Sequence, residues 1–137
     1  PESLPNVNRI LTFKLGADRE LSMPQWQSRV KFNPPEQTAD ASTLTLGYKL
    51  YHDICMGCHG LNAVSGLLIP DLRGSPWIQQ SEGWNSVVME GALRKNGMAA
   101  FKGLISEQES LAIRAYVIQQ SWRALKLQGA ETDTPKP

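Results

Sequence analysis

Residues 55–59 read Cys55-Met56-Gly57-Cys58-His59 (CMGCH), and they hold the only two cysteines among 137 residues. One such pair is not a disulfide framework. The two thiols are a redox couple, part of a metal site, or anchors for a group that the sequence does not spell out. The residues on either side decide between these.

Upstream, Thr43 is a candidate N-cap, and Leu46, Leu50, Tyr51 and Ile54 fall on one face of a helix running into Cys55. The motif therefore sits at a helix C-terminus. A catalytic thiolate is favoured at the opposite, N-terminal end, where the helix dipole lowers its pKa, and no βαβ pattern surrounds the motif. A structural zinc site needs four ligands. Cys55, Cys58 and His59 supply three, His52 is the only other histidine, and no second Cys-x-x-Cys follows. Cys-x-x-Cys-His also suits covalent attachment of a c-type haem. Two thioethers then fix the porphyrin, and the next residue, His59, becomes the proximal iron ligand. This third reading accounts for all three side chains.

Length and composition agree with a cofactor-supported domain. The chain fits one domain, and a hydrophobic fraction of 41% allows a modest core. A net charge of +1 makes no case for nucleic acid or an anionic membrane surface. No apolar run approaches the ~20 residues of a membrane span. A start at Pro1 is expected for a processed or truncated product whose signal peptide has been removed.

Asn8–Leu15 (NRILTFKL) alternates as a strand does, ahead of the turn signal at Gly16-Ala17-Asp18. No second strong strand signal follows, so residues 1–32 read as an extended strap lying on the helical domain or, as the favoured reading, the end of a sheet belonging to something absent; a disordered extension is the plain alternative. Residues 33–42 (NPPEQTADAS) read as a Pro-rich linker. From Gly60 to Gly83 comes a long loop containing Ile69-Pro70-Asp71-Leu72-Arg73-Gly74, then a short helix from Trp84 to Met89 ended by Gly91. Ser106 and Glu109 form a capping box, and Leu111, Ala112, Ala115 and Tyr116 continue a helical stripe to about Trp122 or a little beyond. The assigned boundaries are an arm at 1–32, a linker at 33–42, a haem domain at 43–127 and a flexible tail at 128–137.

The iron needs a sixth ligand on its far face. Met56 is inside the attachment loop, Met23 precedes the linker, and Met89 reads as core filler in a short helix. Met98 lies in the loop Asn96-Gly97-Met98-Ala99-Ala100-Phe101, which can bring a thioether to iron without distorting a helix. An iron closed on both faces carries electrons rather than activating a substrate; the rival is an enzyme or sensor with an open sixth position. The proximal imidazole should donate its second N–H to a carbonyl, and Pro70 is the chosen acceptor. Arg73 is either a partner for a haem propionate or a solvated arginine. Trp77 and Trp84 read as packing against ring or core. No residue is assigned a catalytic role.

Residues 43–122 resemble a class I cytochrome c domain, carried by Gly47 and Tyr51, CMGCH, IPDLRG, NGMAAF and Tyr116. The resemblance implies an all-α fold of three to five helices around one covalent haem c, with an extended N-terminal arm. It implies Cys55 and Cys58 as thioether anchors, His59 and Met98 as axial ligands and Pro70 as the acceptor for His59. It also implies that Gly47 and Tyr51 meet Ala112 and Tyr116 where the first and last helices cross. More narrowly, NRILTFKL, the linker, YHDICMGCHG, AVSG, IPDLR, GALRKNGMAAF and IRAYVIQ are similar to the C-terminal portion of quinohaemoprotein alcohol dehydrogenases. These join a β-propeller bearing pyrroloquinoline quinone (PQQ) to a cytochrome c domain. That resemblance implies reduced PQQ in a propeller domain as donor, and a copper protein, a cytochrome or the respiratory chain as acceptor. It further implies a periplasmic setting, because haem is attached outside the cytoplasm. A free-standing periplasmic cytochrome c is the alternative.

Overall fold

The structure, a computed structural model, describes residues 15–16, 30–65 and 69–132, with side chains to 129. The strand expected at Asn8–Leu15 lies outside the described residues apart from Leu15.

The chain order is α1 (Ala41–Leu50), a π-helical turn (Tyr51–Cys55), α2 (Met56–His59), 3₁₀ turns at Leu61–Ala63, Leu72–Gly74 and Pro76–Ile78, α3 (Ser81–Val88), a 3₁₀ turn at Arg94–Asn96, and α4 (Glu107–Thr132). Among the described residues there is no strand, only a single β-bridge between Lys102 and Ile105. The described residues are all-α, as the resemblance to a class I cytochrome c domain implies.

α1 starts earlier than expected. Its cap is Asp40, not Thr43: the Asp40 carboxylate accepts from the Thr43 N–H at 2.7 Å and the Ser42 hydroxyl at 2.8 Å. Those bonds hold the Asp40 pKa below its ordinary value. Aspartate is the stronger capping residue, and it satisfies a backbone donor that Thr43 itself presents. The helix does not run unbroken into Cys55. After Leu50 the Met56 N–H bonds back to the Tyr51 carbonyl, five residues away, and so widens one turn. α3 begins at Ser81 rather than Trp84, and Gly91 leaves its C-terminal turn with φ 74°.

α4 opens on the expected capping box. Ser106 Oγ accepts from the Glu109 N–H at 3.2 Å, while Glu109 Oε2 accepts from the Ser106 N–H at 2.7 Å. The helix continues to Thr132, well beyond Trp122. It crosses α1 closely enough that a Cβ on Gly47 would collide with the Ala112 carbonyl and lie 3.1 Å from Tyr116 Cβ. Tyr51, Trp84, Ile113, Tyr116 and Val117 are buried together in the core around it. Gly47→Val forces the two backbones apart and costs about 3 kcal/mol; a lower denaturant midpoint at unchanged slope is the expected measurement.

The Pro-rich stretch lies along this framework. Gln37 Nε2 donates to the Ala115 carbonyl at 2.8 Å, Trp122 Nε1 to the Pro35 carbonyl at 2.8 Å, and Gln79 Nε2 to the Asn33 carbonyl at 2.6 Å. Pro34 is buried beneath it.

Candidate haem-binding site

The π turn and α2 present CMGCH with its three chemical side chains in different environments. Cys55 is half-buried and packs on the core, Cys58 is exposed, and the two are not joined in a disulfide. Burial, with Cys58 adding to it, pushes the Cys55 thiol up to about 11. A thiol held neutral in this way is the opposite of an activated redox thiolate. Among the described residues no three His, Cys, Asp or Glu side chains converge as a metal-ion site. His52 stays on the helix, its Nδ1 2.8 Å from the Tyr48 carbonyl and its ring 4.2 Å from that of Tyr48.

His59 is only 8% exposed, and its Nδ1 is the one buried side-chain polar atom without a partner among the described residues. Burial pulls the imidazole pKa down, so the ring is neutral at pH 7 and keeps a lone pair to donate. The Pro70 carbonyl opposes that shift, as an acceptor beside the ring does, yet it does not close a well-formed hydrogen bond to Nδ1. The two observations fit a carbonyl that is near the ring but not aligned with its N–H.

Two tyrosines pin the turn after His59. Tyr51 donates to the Gly60 carbonyl at 2.8 Å, and Tyr116 donates to Asn62 Oδ1 at 3.1 Å. Asn62 and Ala63 hold φ 56° and 62°, a left-handed region that non-glycine residues seldom occupy, and Ala63 is fully buried there. Gly60 has φ 73°, and a Cβ on it would strike the Val64 carbonyl. Sequence reasoning missed Asn62. It placed Tyr51 and Tyr116 only at the helix crossing, and the Asn-Ala step after His-Gly-Leu carried no motif to flag it.

Met98 follows Gly97, whose φ of 91° turns the chain, and its N–H donates to the Leu93 carbonyl at 3.3 Å. The loop is tied down beyond it by the Phe101 N–H on the Val88 carbonyl at 2.8 Å. Met98 is half-buried against the same apolar cluster as Ile54, Cys55, Leu72 and Phe101. Met56 and Met89 are half-buried there too, so burial alone does not separate the three methionines. Arg73 is not solvated. It pairs with Asp71 at 2.7 Å, with side-chain exposures of 15% and 6%, and its guanidinium lies 5.0 Å from the Phe32 ring centroid. Trp84 is a core residue whose Nε1 donates to the Ser110 carbonyl at 3.0 Å, whereas Trp77 is 40% exposed.

These residues fit a c-type haem. They offer two unbridged thiols one helical turn apart, a neutral imidazole with an orphaned second nitrogen, and a half-covered apolar wall that includes a thioether. Among the described residues no helix is long and apolar enough to cross a membrane.

The comparisons with known proteins point the same way. A family model described as cytochrome C oxidase, cbb3-type, subunit III matches residues 42–117. The quinohemoprotein alcohol dehydrogenase ADH IIB of Pseudomonas putida is 32% identical over 120 residues, 87% of this chain and 17% of its own length. The dehydrogenase subunit of the quinone alcohol dehydrogenase of Gluconobacter oxydans is 32% identical over 118 residues, 85% of this chain and 15% of that protein. Cytochrome c550 of Pseudomonas aeruginosa is 32% identical over 100 residues, 68% of this chain and 66% of its own. The chain thus spans about a sixth of the length of the alcohol dehydrogenases it matches. The family match covers more than half of the chain, from the start of α1 into the middle of α4; the chain belongs to this cytochrome c family, as a class I domain that carries covalently bound haem c and transfers electrons.

Proposed function

We propose that Cys55 and Cys58 hold the haem through thioethers, that His59 and Met98 are its axial ligands, and that the domain takes electrons from reduced PQQ in an alcohol dehydrogenase. The observation that carries the reading is His59: buried, neutral, and orphaned at Nδ1 directly after two unbridged thiols. Haem c supplies the one-electron couple when bound. The chain's residues do the rest. His59 would give the iron a ring-nitrogen lone pair, and the Pro70 carbonyl beside the ring is the acceptor its Nδ1–H would need. Met98 would hold the iron with soft sulfur, which would favour the reduced state and a potential toward the high end of the range. Ile54, Leu72 and Phe101 exclude water from that space. Arg73 keeps Nη1 uncommitted among the described residues, and that nitrogen is its means of reaching a propionate.

The similarity to quinohemoprotein and quinone alcohol dehydrogenases supports the donor assignment. From here electrons pass to an external acceptor: a copper protein, a cytochrome or the respiratory chain. The setting is the periplasm, where haem is attached. Carbon monoxide added to the reduced holoprotein tests the closed iron. No rapid binding at neutral pH is the expected result; fast, complete binding would mean an open sixth position and an enzyme or sensor instead.

A further inference from the structure

The chain leaves His59 through a turn that the α1–α4 crossing holds from behind. Gly60 ends α2 with φ 73°, and the Tyr51 phenol donates to its carbonyl at 2.8 Å. Asn62 follows at φ 56° and ψ 31°, and Ala63 at φ 62°. Two successive non-glycine residues in the left-handed region persist only where their surroundings fix them, because each Cβ there crowds a backbone carbonyl. The Val64 N–H closes the turn on the Leu61 carbonyl at 3.1 Å. From α4 the Tyr116 phenol reaches over and donates to Asn62 Oδ1 at 3.1 Å.

Tyr116 is itself fixed. It is 2% exposed, and its ring centroid lies 5.2 Å from that of Tyr51 and 5.6 Å from those of Tyr48 and His52. Its Cβ stands beside Gly47, where α4 passes α1. Burial pushes the Tyr51 phenol up and the Tyr116 phenol up to about 12, so both remain hydrogen-bond donors at neutral pH. Ala63 is fully buried in the same cluster as the two rings, and the turn cannot swing outward without uncovering it. His59 is therefore held between α2 on one side and, on the other, a strained turn that the helix crossing keeps closed.

We propose that Tyr116, acting through Asn62, is a positioning residue for His59: its phenol keeps the left-handed turn after His59 closed and so ties the α1–α4 crossing to the placement of the imidazole. This rests on His59 being the proximal ligand. A loosened turn lets the imidazole retreat, and a poorer donor stabilises ferric iron less, so the potential rises.

The test uses the haem-loaded full chain in four forms: unmutated, Tyr116→Phe, Asn62→Gly and the double variant. Tyr116→Phe keeps the ring contacts and removes only the hydroxyl. Asn62→Gly makes the left-handed conformation cost-free, so the turn no longer needs the phenol. Midpoint potential and the NMR shifts of the His59 ring protons in the reduced protein are read. Tyr116→Phe should raise the potential and move the His59 protons; in the Asn62→Gly background both effects should largely vanish. A lower thermal midpoint for Tyr116→Phe with an unchanged or lowered potential would make the bond merely structural and overturn the proposal. A shift of undiminished size in the glycine background, or one that leaves the His59 protons unmoved, would assign the effect to the phenol dipole and overturn it as well. In the unmutated protein, absence of any His59 ring proton shifted by the haem would remove the ligand assignment itself, before a variant is made.

Discussion

With Met98 as the sixth ligand, Met98→Ala is expected to let the reduced protein bind carbon monoxide rapidly and fully at neutral pH, where the parent protein should not. Removing the thioether takes away the one soft donor that the loop Asn96–Phe101 offers, and alanine at 98 cannot reach an iron. The same change should lower the midpoint potential by on the order of 0.1 V, a modest part of the ~0.8 V that axial ligation spans. The direction follows from the sulfur: without it, water or a harder ligand stabilises the ferric state. Met56→Ala and Met89→Ala are the controls, because both residues are half-buried on the same cluster. They should lower stability through lost packing, with no gain in carbon monoxide binding. If Met89→Ala opens the iron and Met98→Ala does not, the sixth ligand lies in the turn after α3 rather than in the loop.

Replacing both thiols, Cys55→Ala with Cys58→Ala, abolishes covalent retention of the haem. Acid–acetone extraction should leave essentially all of the pigment with the parent polypeptide and none with the double variant. The variant should also be much less stable. Its helices still cross at Gly47, but Ile54, Leu72, Met98 and Phe101 then line a wall without its partner, and half-buried apolar surface is returned to water. Single replacements separate the two anchors. Cys55 is packed on the core and Cys58 is exposed, so Cys55→Ala should cost more stability than Cys58→Ala, read as the difference in thermal midpoint.

Much of this domain is legible along the chain because its chemistry is local. CMGCH spans five residues, and the capping box at Ser106 and Glu109 four; each needs only its neighbours to be read. The crossing of Gly47 and Tyr51 with Ala112 and Tyr116 is non-local, yet a resemblance of pattern carried it. The beginning of α1 was placed at Thr43 because apolar periodicity starts there; Asp40 won because its carboxylate can reach the Thr43 N–H. The unbroken helix into Cys55 was misread for another reason. Periodicity does not distinguish a π turn of five residues from an α turn, and the extra residue shows only in which carbonyl Met56 selects.

The attachment motif, two thiols and an imidazole at fixed spacing, can be read from residue order alone, since covalent spacing is the geometry that haem attachment demands. The partners of Arg73 cannot. Phe32 lies far from it in the chain, and the polar composition around Pro34 and Pro35 reads as a linker. Only the packing of that stretch along α4 brings an aromatic face under a guanidinium, and the reason is physical: residues 30–35 are held through the backbone carbonyls of Val30, Asn33 and Pro35, which accept from Gln128, Gln79 and Trp122. Every residue carries such an acceptor, so the pattern of side chains gives no sign that these were the ones used.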